Sequence, residues 1–291
     1  MVNSTIVNVA SIMKEEYEPK LEGKGQATRL GKQHELAGGP LGIFGKEAQK
    51  HDLSVHKISP LILETLKDNY PHLTFRLRNS LPKKEIHAKL ASINPKLGQV
   101  LFVKKASISP DGSIIEVKDQ QKNWRVVLVG EAKHQGNDVE KIEAGIKQGK
   151  NKDADLMVAG NAIERVHKNI LEIRNFMLDE AHFPYVVFFQ GSNFSTETFF
   201  VKTPNGRKVK IAHDSGALNR IDRVTASNFG MKINQNYCRN IFVKCGKREQ
   251  MLQVPSLYFQ CPPWTTQSML TIMWDVAVTS LEVLSESIPQ P

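Results

Sequence analysis

The stretch Val126-Val-Leu-Val-Gly-Glu-Ala-Lys133 decides the fold. Its first four residues are apolar and three of them are β-branched, a run that reads as a buried strand bounded by glycine. Glu131 and Lys133 follow at i and i+2, so on an extended chain they project from one face. Upstream, Pro110-Asp111 introduces a second expected strand, Ser113 to Val117, which can pair with Trp124 to Val129 through a turn near Asp119 to Asn123. That pairing delivers Asp111 and Glu131 to the same place, with the ammonium of Lys133 beside them.

Two carboxylates and a lysine in this arrangement suit phosphodiester cleavage assisted by a metal ion. Mg²⁺ takes oxygen ligands, keeps several waters and is commonly shared with substrate phosphate. Bound there it would polarise the scissile phosphate and lower the pKa of a coordinated water. Lys133 would orient that water and stabilise the charge that builds on the phosphoryl oxygens. The spacing alone is a weak signal, because a solvated Glu-x-Lys strand edge has the same pattern. What strengthens it is the buried strand leading directly into Glu131.

Working outward, Leu41 to Tyr70 turns helical, with Leu61, Ile62, Leu66 and Tyr70 near a 3.6-residue period. Gln99 to Val103 reads as another strand. Residues 136–160 are polar and glycine-rich, an excursion from the core. Asn161 to Leu178 is the clearest helix: Ile163, Val166, Ile170, Ile173 and Met177 make one stripe, and Asn161 stands where an N-cap would. Tyr185 to Phe189 reads as a buried strand, Val201 to Ile211 as a hairpin around Pro204-Asn-Gly206, Leu218 to Asn228 as a short helix, and Ser268 to Leu284 as the apolar stretch that closes the core. Strands interspersed with helices mean α/β. Residues 1–28 read as a flexible arm and 29–291 as one domain, with no internal repeat.

Composition excludes several classes. With 40% hydrophobic and 24% charged residues in 291, the chain is neither disordered nor a coiled coil. Its longest plain apolar runs, such as Tyr185 to Phe189, are far short of the ~20 residues a membrane helix needs. Residues 1–13 offer no export signal, and three cysteines, Cys238, Cys245 and Cys261, suit reduced thiols, so a cytoplasmic protein is expected. The charge is +9, and residues 201–250 hold 11 Lys and Arg against Asp214, Asp222 and Glu249, which is +8 of it. Concentrated positive charge is the footprint of a polyanion such as nucleic acid, or simply a solvated basic surface.

Two further clusters bear on nucleic acid. At the head of the clear helix, Met157 offers an apolar contact to a base edge, and Ala159, Gly160 and Ala162 allow close backbone approach. Asn161 suits a bidentate adenine contact and Arg165 suits purine acceptors or phosphate. A capped amphipathic helix with an exposed arginine would look the same. Arg220 and Arg223, at i and i+3, can grip phosphates, or only satisfy Asp222 and solvent.

The runs Ser109-Pro-Asp-Gly-Ser113, Val126-Val-Leu-Val-Gly-Glu-Ala-Lys-His-Gln-Gly136, Gly160-Asn-Ala-Ile-Glu-Arg165 and Leu218-Asn-Arg-Ile-Asp-Arg223 together resemble those of the EcoRI type II restriction endonuclease family. Gly42-Ile-Phe-Gly45, Asn175-Phe-Met-Leu178 and His182-Phe-Pro-Tyr185 match in the same order, so the similarity spans roughly residues 25 to 285. The resemblance implies a restriction-endonuclease-like α/β fold: a mixed five-stranded sheet flanked by helices, with DNA-embracing arms at about 136–160 and 196–216. It implies Mg²⁺ held by Asp111, Glu131 and the carbonyl of Ala132, with Lys133 catalytic. It places DNA reading on Met157 through Ala162, running extended, and on Arg165, with Lys168 also on the DNA. Arg220 and Arg223 match a pair that links recognition to catalysis. The implied enzyme is a homodimer that cuts double-stranded DNA at G^AATTC, leaving 5′-phosphates and four-base 5′ overhangs. A cognate DNA methyltransferase would act on the same site without binding this chain. Val158 is bulkier than the alanine of the best-known member, and Asn137 stands where that member has lysine.

Other readings fit less well. Cys261-Pro-Pro-Trp264 resembles the motif of DNA amino-methyltransferases, but cysteine is a poor acceptor for a target amine, and no Phe-x-Gly-x-Gly loop accompanies it. A phosphate-binding loop at Gly45-Lys46 fails because residue 40 is Pro40 and residue 47 is Glu47. A DNA-binding protein that does not cut would share the basic stretch and the reading segment, but has no need of Asp111, Glu131 and Lys133 together.

Overall fold

Continuous burial of Val126–Val129 on both faces requires a neighbour layer above and below, and the computed structural model supplies both. It describes residues 46–98, 105–134, 136, 138–145, 160–195, 198–211 and 238–291. Among these, a five-stranded sheet has the order β1 (Phe75–Arg78), β4 (Ile114–Lys118), β5 (Trp124–His134), β6 (Tyr185–Gln190), β11 (Ser256–Gln260). Among the first three, β4 runs antiparallel to both β1 and β5, whereas β6 is parallel to both β5 and β11. The sheet is therefore mixed and the class α/β.

Helices α1 (Lys46–Asn69) and α5 (Thr266–Val283) cover one face. Val55, Ile58, Ile62 and Leu66 of α1 meet Met269, Met273 and Val276 of α5 over Val127, Leu128, Val186 and Phe188. Helices α2 (Lys83–Ile93) and α4 (Gly160–Phe176) cover the other, where Ile163, Val166, Ile170 and Ile173 lie over Val126, Val129, Val187 and Phe189. The short α3 (Asp138–Glu143) packs on a separate hairpin, β7 (Phe199–Lys202) and β8 (Lys208–Ile211), through Ile142, Val201, Val209 and Ile211. The two-residue strands β2 (Leu81–Pro82) and β3 (Ser107–Ile108) pair antiparallel, and the hairpin β9 (Ile241–Cys245) and β10 (Arg248–Leu252) precedes β11.

One irregularity decides where the chemistry points. In the β4–β5 pair, Ile115 stands opposite Leu128 and Glu116 opposite Val126, so Val127 is the extra residue of a β-bulge. Val127 and Leu128 consequently both face α1 and α5, while Val126 and Val129 face α4. An unbulged strand would carry Glu131 to the face of Val127. The extra residue shifts the phase by one, which turns every later side chain to the opposite face, and Glu131 goes to the α4 side.

Several expectations are corrected here. The strand through Val129 does not stop there but continues to His134, because β6 pairs with it from Val129↔Tyr185 to His134↔Gln190. The clear helix begins at Gly160, so Asn161 lies inside its first turn rather than capping it, and Gly160–Ala162 are helical rather than extended. The strands β1 and β11 and the helix α2 have no counterpart in the sequence reading. The expected strand at Gln99 to Val103, the arm at 1–28 and the helix at Leu218 to Asn228 lie outside the described residues, as do 146–159 of the first DNA-embracing arm and 212–216 of the second.

The packing implies a graded response to truncation. Phe189 is fully buried and stacks on Phe259 at 4.6 Å, with Phe194 at 4.8 Å. Phe189→Ala should destabilise by about 3–5 kcal/mol, whereas Leu171→Ala, half exposed on α4, should stay within about 0.5 kcal/mol, as measured by urea unfolding.

Candidate active site

Asp111 sits in a tight turn. Ser113 N–H donates to the Pro110 carbonyl at 3.0 Å, and Gly112 N–H donates to the Gly130 carbonyl at 2.9 Å. Ser113 closes the turn at φ 64°, a left-handed conformation that is strained for a side-chain-bearing residue. Its hydroxyl is held by Asn79 Oδ1 at 3.0 Å, which ties the turn to the end of β1.

The turn brings Asp111 to the face of β5 on which Glu131 and Lys133 project. Lys133 Nζ makes an ion pair with Asp111 Oδ2 and a second with Glu131 Oε1 at 2.6 Å. Ala132 N–H points to Asp111 Oδ2 at 3.4 Å, so Asp111 lies against the backbone between the other two. Asp111 keeps 24% of its side-chain surface and Lys133 14%, but Glu131 has none. The cluster thus opens to solvent on the Asp111 side and is sealed behind Glu131.

Two residues that the sequence reading did not single out hold Glu131 in place. Asn169 Nδ2 donates to both carboxylate oxygens at 3.2 Å, and Tyr185 OH donates to Oε2 at 2.9 Å. Asn169 lies on α4 one turn after Arg165, and Tyr185 opens β6. A polar residue on a helix face turned to the core, and a tyrosine heading an apolar strand, were the available signals. Burial pushes the Glu131 carboxyl up to about 7; the Lys133 ammonium lowers it and the neighbouring Asp111 carboxylate raises it again. Tyr185 is pushed well above its ordinary value by burial and by Glu131, so it stays a hydroxyl donor.

Asp111, Glu131 and the backbone of Ala132 supply hard oxygen donors, the chemistry a Mg²⁺-type ion requires, and a buried carboxylate held above its ordinary pKa lacks the compensation such an ion provides. The residues present therefore fit a divalent cation.

The remaining expected residues divide in two. Arg165 and Lys168 lie on α4, half-buried and exposed respectively, and Gly160, Asn161 and Ala162 form its first turn. Met157, Val158, Ala159, Arg220 and Arg223 fall outside the described residues. In the second arm, β7 and β8 turn Phe200, Lys202, Lys208 and Lys210 to solvent, paired Phe200↔Lys210 and Lys202↔Lys208. This is a cationic face with no acidic residue between Thr198 and Ile211.

Residues 37–290 match the family model described as restriction endonuclease EcoRI. The chain belongs to the EcoRI restriction endonuclease family. It is 61% identical over 273 residues to the type II restriction enzyme RsrI of Cereibacter sphaeroides, covering 94% of this chain and 99% of that one. It is 51% identical over 270 residues to the type II restriction enzyme EcoRI of Escherichia coli, covering 92% and 98%. With the family comes the class of enzyme, a type II restriction endonuclease acting on double-stranded DNA. Among the described residues no helix is long and apolar enough to cross a membrane.

The electrostatics of Glu131 set a pH dependence. Its folded pKa lies above the unfolded value, so the folded state binds the proton more tightly, and stability falls as pH rises through that interval. Thermal unfolding of the metal-free protein should show this term present below the ordinary carboxylate range and lost by about pH 7. Its absence from Glu131→Gln would identify the group, whereas an equal slope in that variant would assign the effect elsewhere.

Proposed function

We propose that this chain is a Mg²⁺-dependent, homodimeric, cytoplasmic endonuclease of restriction–modification defence. It cuts double-stranded DNA at G^AATTC and leaves 5′-phosphates and four-base 5′ overhangs, and a separate methyltransferase protects the same sequence in the host. The observation that carries the reading is the convergence of Asp111, Glu131 and Lys133 beside α4, the helix whose first turn holds Asn161 and whose next turns hold Arg165 and Asn169.

In this reading Asp111, Glu131 and the Ala132 carbonyl hold the ion, which supplies charge neutralisation at the scissile phosphate and a more acidic water when bound. Asn169 and Tyr185 fix both oxygens of Glu131, so its lone pairs are aimed before substrate arrives. Lys133 presents its ammonium where charge develops on the phosphoryl oxygens, already placed by its two carboxylate partners. Met157 through Ala162 and Arg165 read base edges, Lys168 binds phosphate, and Arg220 and Arg223 link reading to cutting. A palindromic site mirrors the two-fold symmetry of a dimer, with one active site per strand. The lysine face of β7–β8 and the +8 stretch supply attraction to phosphate, and for each tenfold rise in salt the affinity should fall by about 0.9 log units per phosphate neutralised.

The test is digestion of a plasmid with one GAATTC site, with Mg²⁺ or with EDTA, followed by sequencing of the ends. Linear product with AATT 5′ overhangs only in Mg²⁺ is expected. Cutting at another hexamer would place the error in the reading segment, with Val158 as first suspect, and tight specific binding without cutting would overturn the nuclease assignment for Asp111, Glu131 and Lys133. Lys133→Ala should abolish cleavage while leaving specific binding nearly intact, and equal loss of both would count against its assigned role.

A further inference from the structure

One stripe of α1 touches each backbone segment that carries the site. His51, Val55 and Ser59 stand at i, i+4 and i+8 and share a helix face. His51 Nε2–H donates to the Phe188 carbonyl at 3.0 Å, and Phe188 is the β6 residue paired with Ala132. Burial holds the His51 ring neutral, its pKa lowered to about 4. Ser59 is fully buried and its hydroxyl donates to the carbonyl of Gly112, the residue after Asp111. Val55, also fully buried, packs against both Gly112 and Gly130, the latter being the residue before Glu131.

The two glycines are required by space. Neither has a φ in the left-handed region, so conformational freedom is not what they provide. A Cβ on Gly112 would overlap Val55 Cγ1 and lie 3.0 Å from Gly130 Cα and 3.1 Å from its carbonyl carbon. A Cβ on Gly130 would lie 3.2 Å from both Val55 Cγ1 and Met273 Cε, and 3.3 Å from Gly112 Cα. The backbones bearing Asp111 and Glu131 are thus pressed together, with the α1 stripe closing the contact from behind. Any side chain at 112 must push the Asp111 turn away from β5 or push α1 away from both.

We propose that Ser59, Val55 and the Gly112–Gly130 contact are positioning elements that set the separation of the Asp111 and Glu131 carboxylates, and through it the affinity of this site for a divalent ion. The inference rests on the reading that these carboxylates hold such an ion. A Mg²⁺-type ion tolerates little departure from its short oxygen distances, so displacement of one carboxylate by a few tenths of an ångström is felt directly as lost affinity. No atom of the stripe needs to reach the ion.

Mn²⁺ binding to the full-length protein, read from the free-ion paramagnetic resonance signal, tests this beside metal-free binding to a GAATTC duplex. Ser59→Ala is expected to weaken Mn²⁺ binding roughly 10- to 100-fold, the usual scale for a supporting contact, with metal-free DNA binding unchanged. Gly112→Ala should weaken it at least as much, and Val55→Ala added to Gly112→Ala should recover part of the loss by removing the nearest obstruction. Wild-type Mn²⁺ affinity in Ser59→Ala would overturn the proposal, as would a double variant no better than Gly112→Ala. If Gly112→Ala does not fold, Ser59→Ala decides alone. Asp111→Ala separates the two readings: undiminished Mn²⁺ binding in that variant overturns the ion site itself, whereas a strong loss there beside a silent Ser59→Ala overturns only the positioning role.

Discussion

A carboxylate with no exposed surface is the constraint around which this molecule is arranged. Removing an ion from water costs several kcal/mol even after relaxation, so Glu131 can persist at that position only if its surroundings return much of what hydration gave. Three neighbours do so from three different elements: Lys133 on the same strand, Tyr185 at the head of β6 and Asn169 on α4. Each donates to the carboxylate, and none can be moved without moving a strand or helix. The compensation is incomplete, since the carboxyl still titrates far above its ordinary range. A divalent ion would complete it.

That arrangement depends on backbone features that are easy to overlook. The bulge at Val127 changes the phase of β5 between the hydrophobic run and the acidic residue, and without it Glu131 would face α1 instead of α4. The close approach of Gly112 and Gly130 brings the Asp111 turn against the same strand. Beside the site, backbone strain sits at Ser113, whose left-handed backbone is held by Asn79 and by the turn hydrogen bond to Pro110. The hydrophobic layers above and below supply the rigidity that keeps these elements in register.

Much of this was legible in the sequence because it rests on local periodicity. The stripe of α4, the buried runs at Val126 and Tyr185 and the i, i+2 relation of Glu131 and Lys133 are patterns of a few residues, and each has its expected secondary structure here. What was not legible is long-range. Asn169 meets Glu131 across 38 residues, and Tyr185 meets it across 54. The bulge is invisible in a run of apolar residues, where either phase buries a valine. The continuation of β5 past Gly130 depends on a partner strand more than 50 residues downstream, so the glycine looked like an end when it is a point of close packing. β1 escaped because its two apolar residues alternate with arginines, and β11 because its apolar run, Leu257 to Phe259, is only three residues long; the strand character of both comes from the neighbours they pair with.

Glu131 is a buried charge whose compensation is incomplete, and the proposed complement is a divalent ion. The most direct measurement is thermal unfolding of wild type and Glu131→Gln at pH 8, each with EDTA and with Mg²⁺. In EDTA the glutamine variant should unfold at the higher temperature, because an incompletely compensated charge has been removed. Mg²⁺ should raise the wild-type transition but leave the variant's unmoved, since a ligand stabilises only the folded state that binds it. A variant that unfolds earlier than wild type in EDTA and gains as much from Mg²⁺ would contradict the account. Glu131 would then be an ordinary structural carboxylate, and any ion would bind elsewhere.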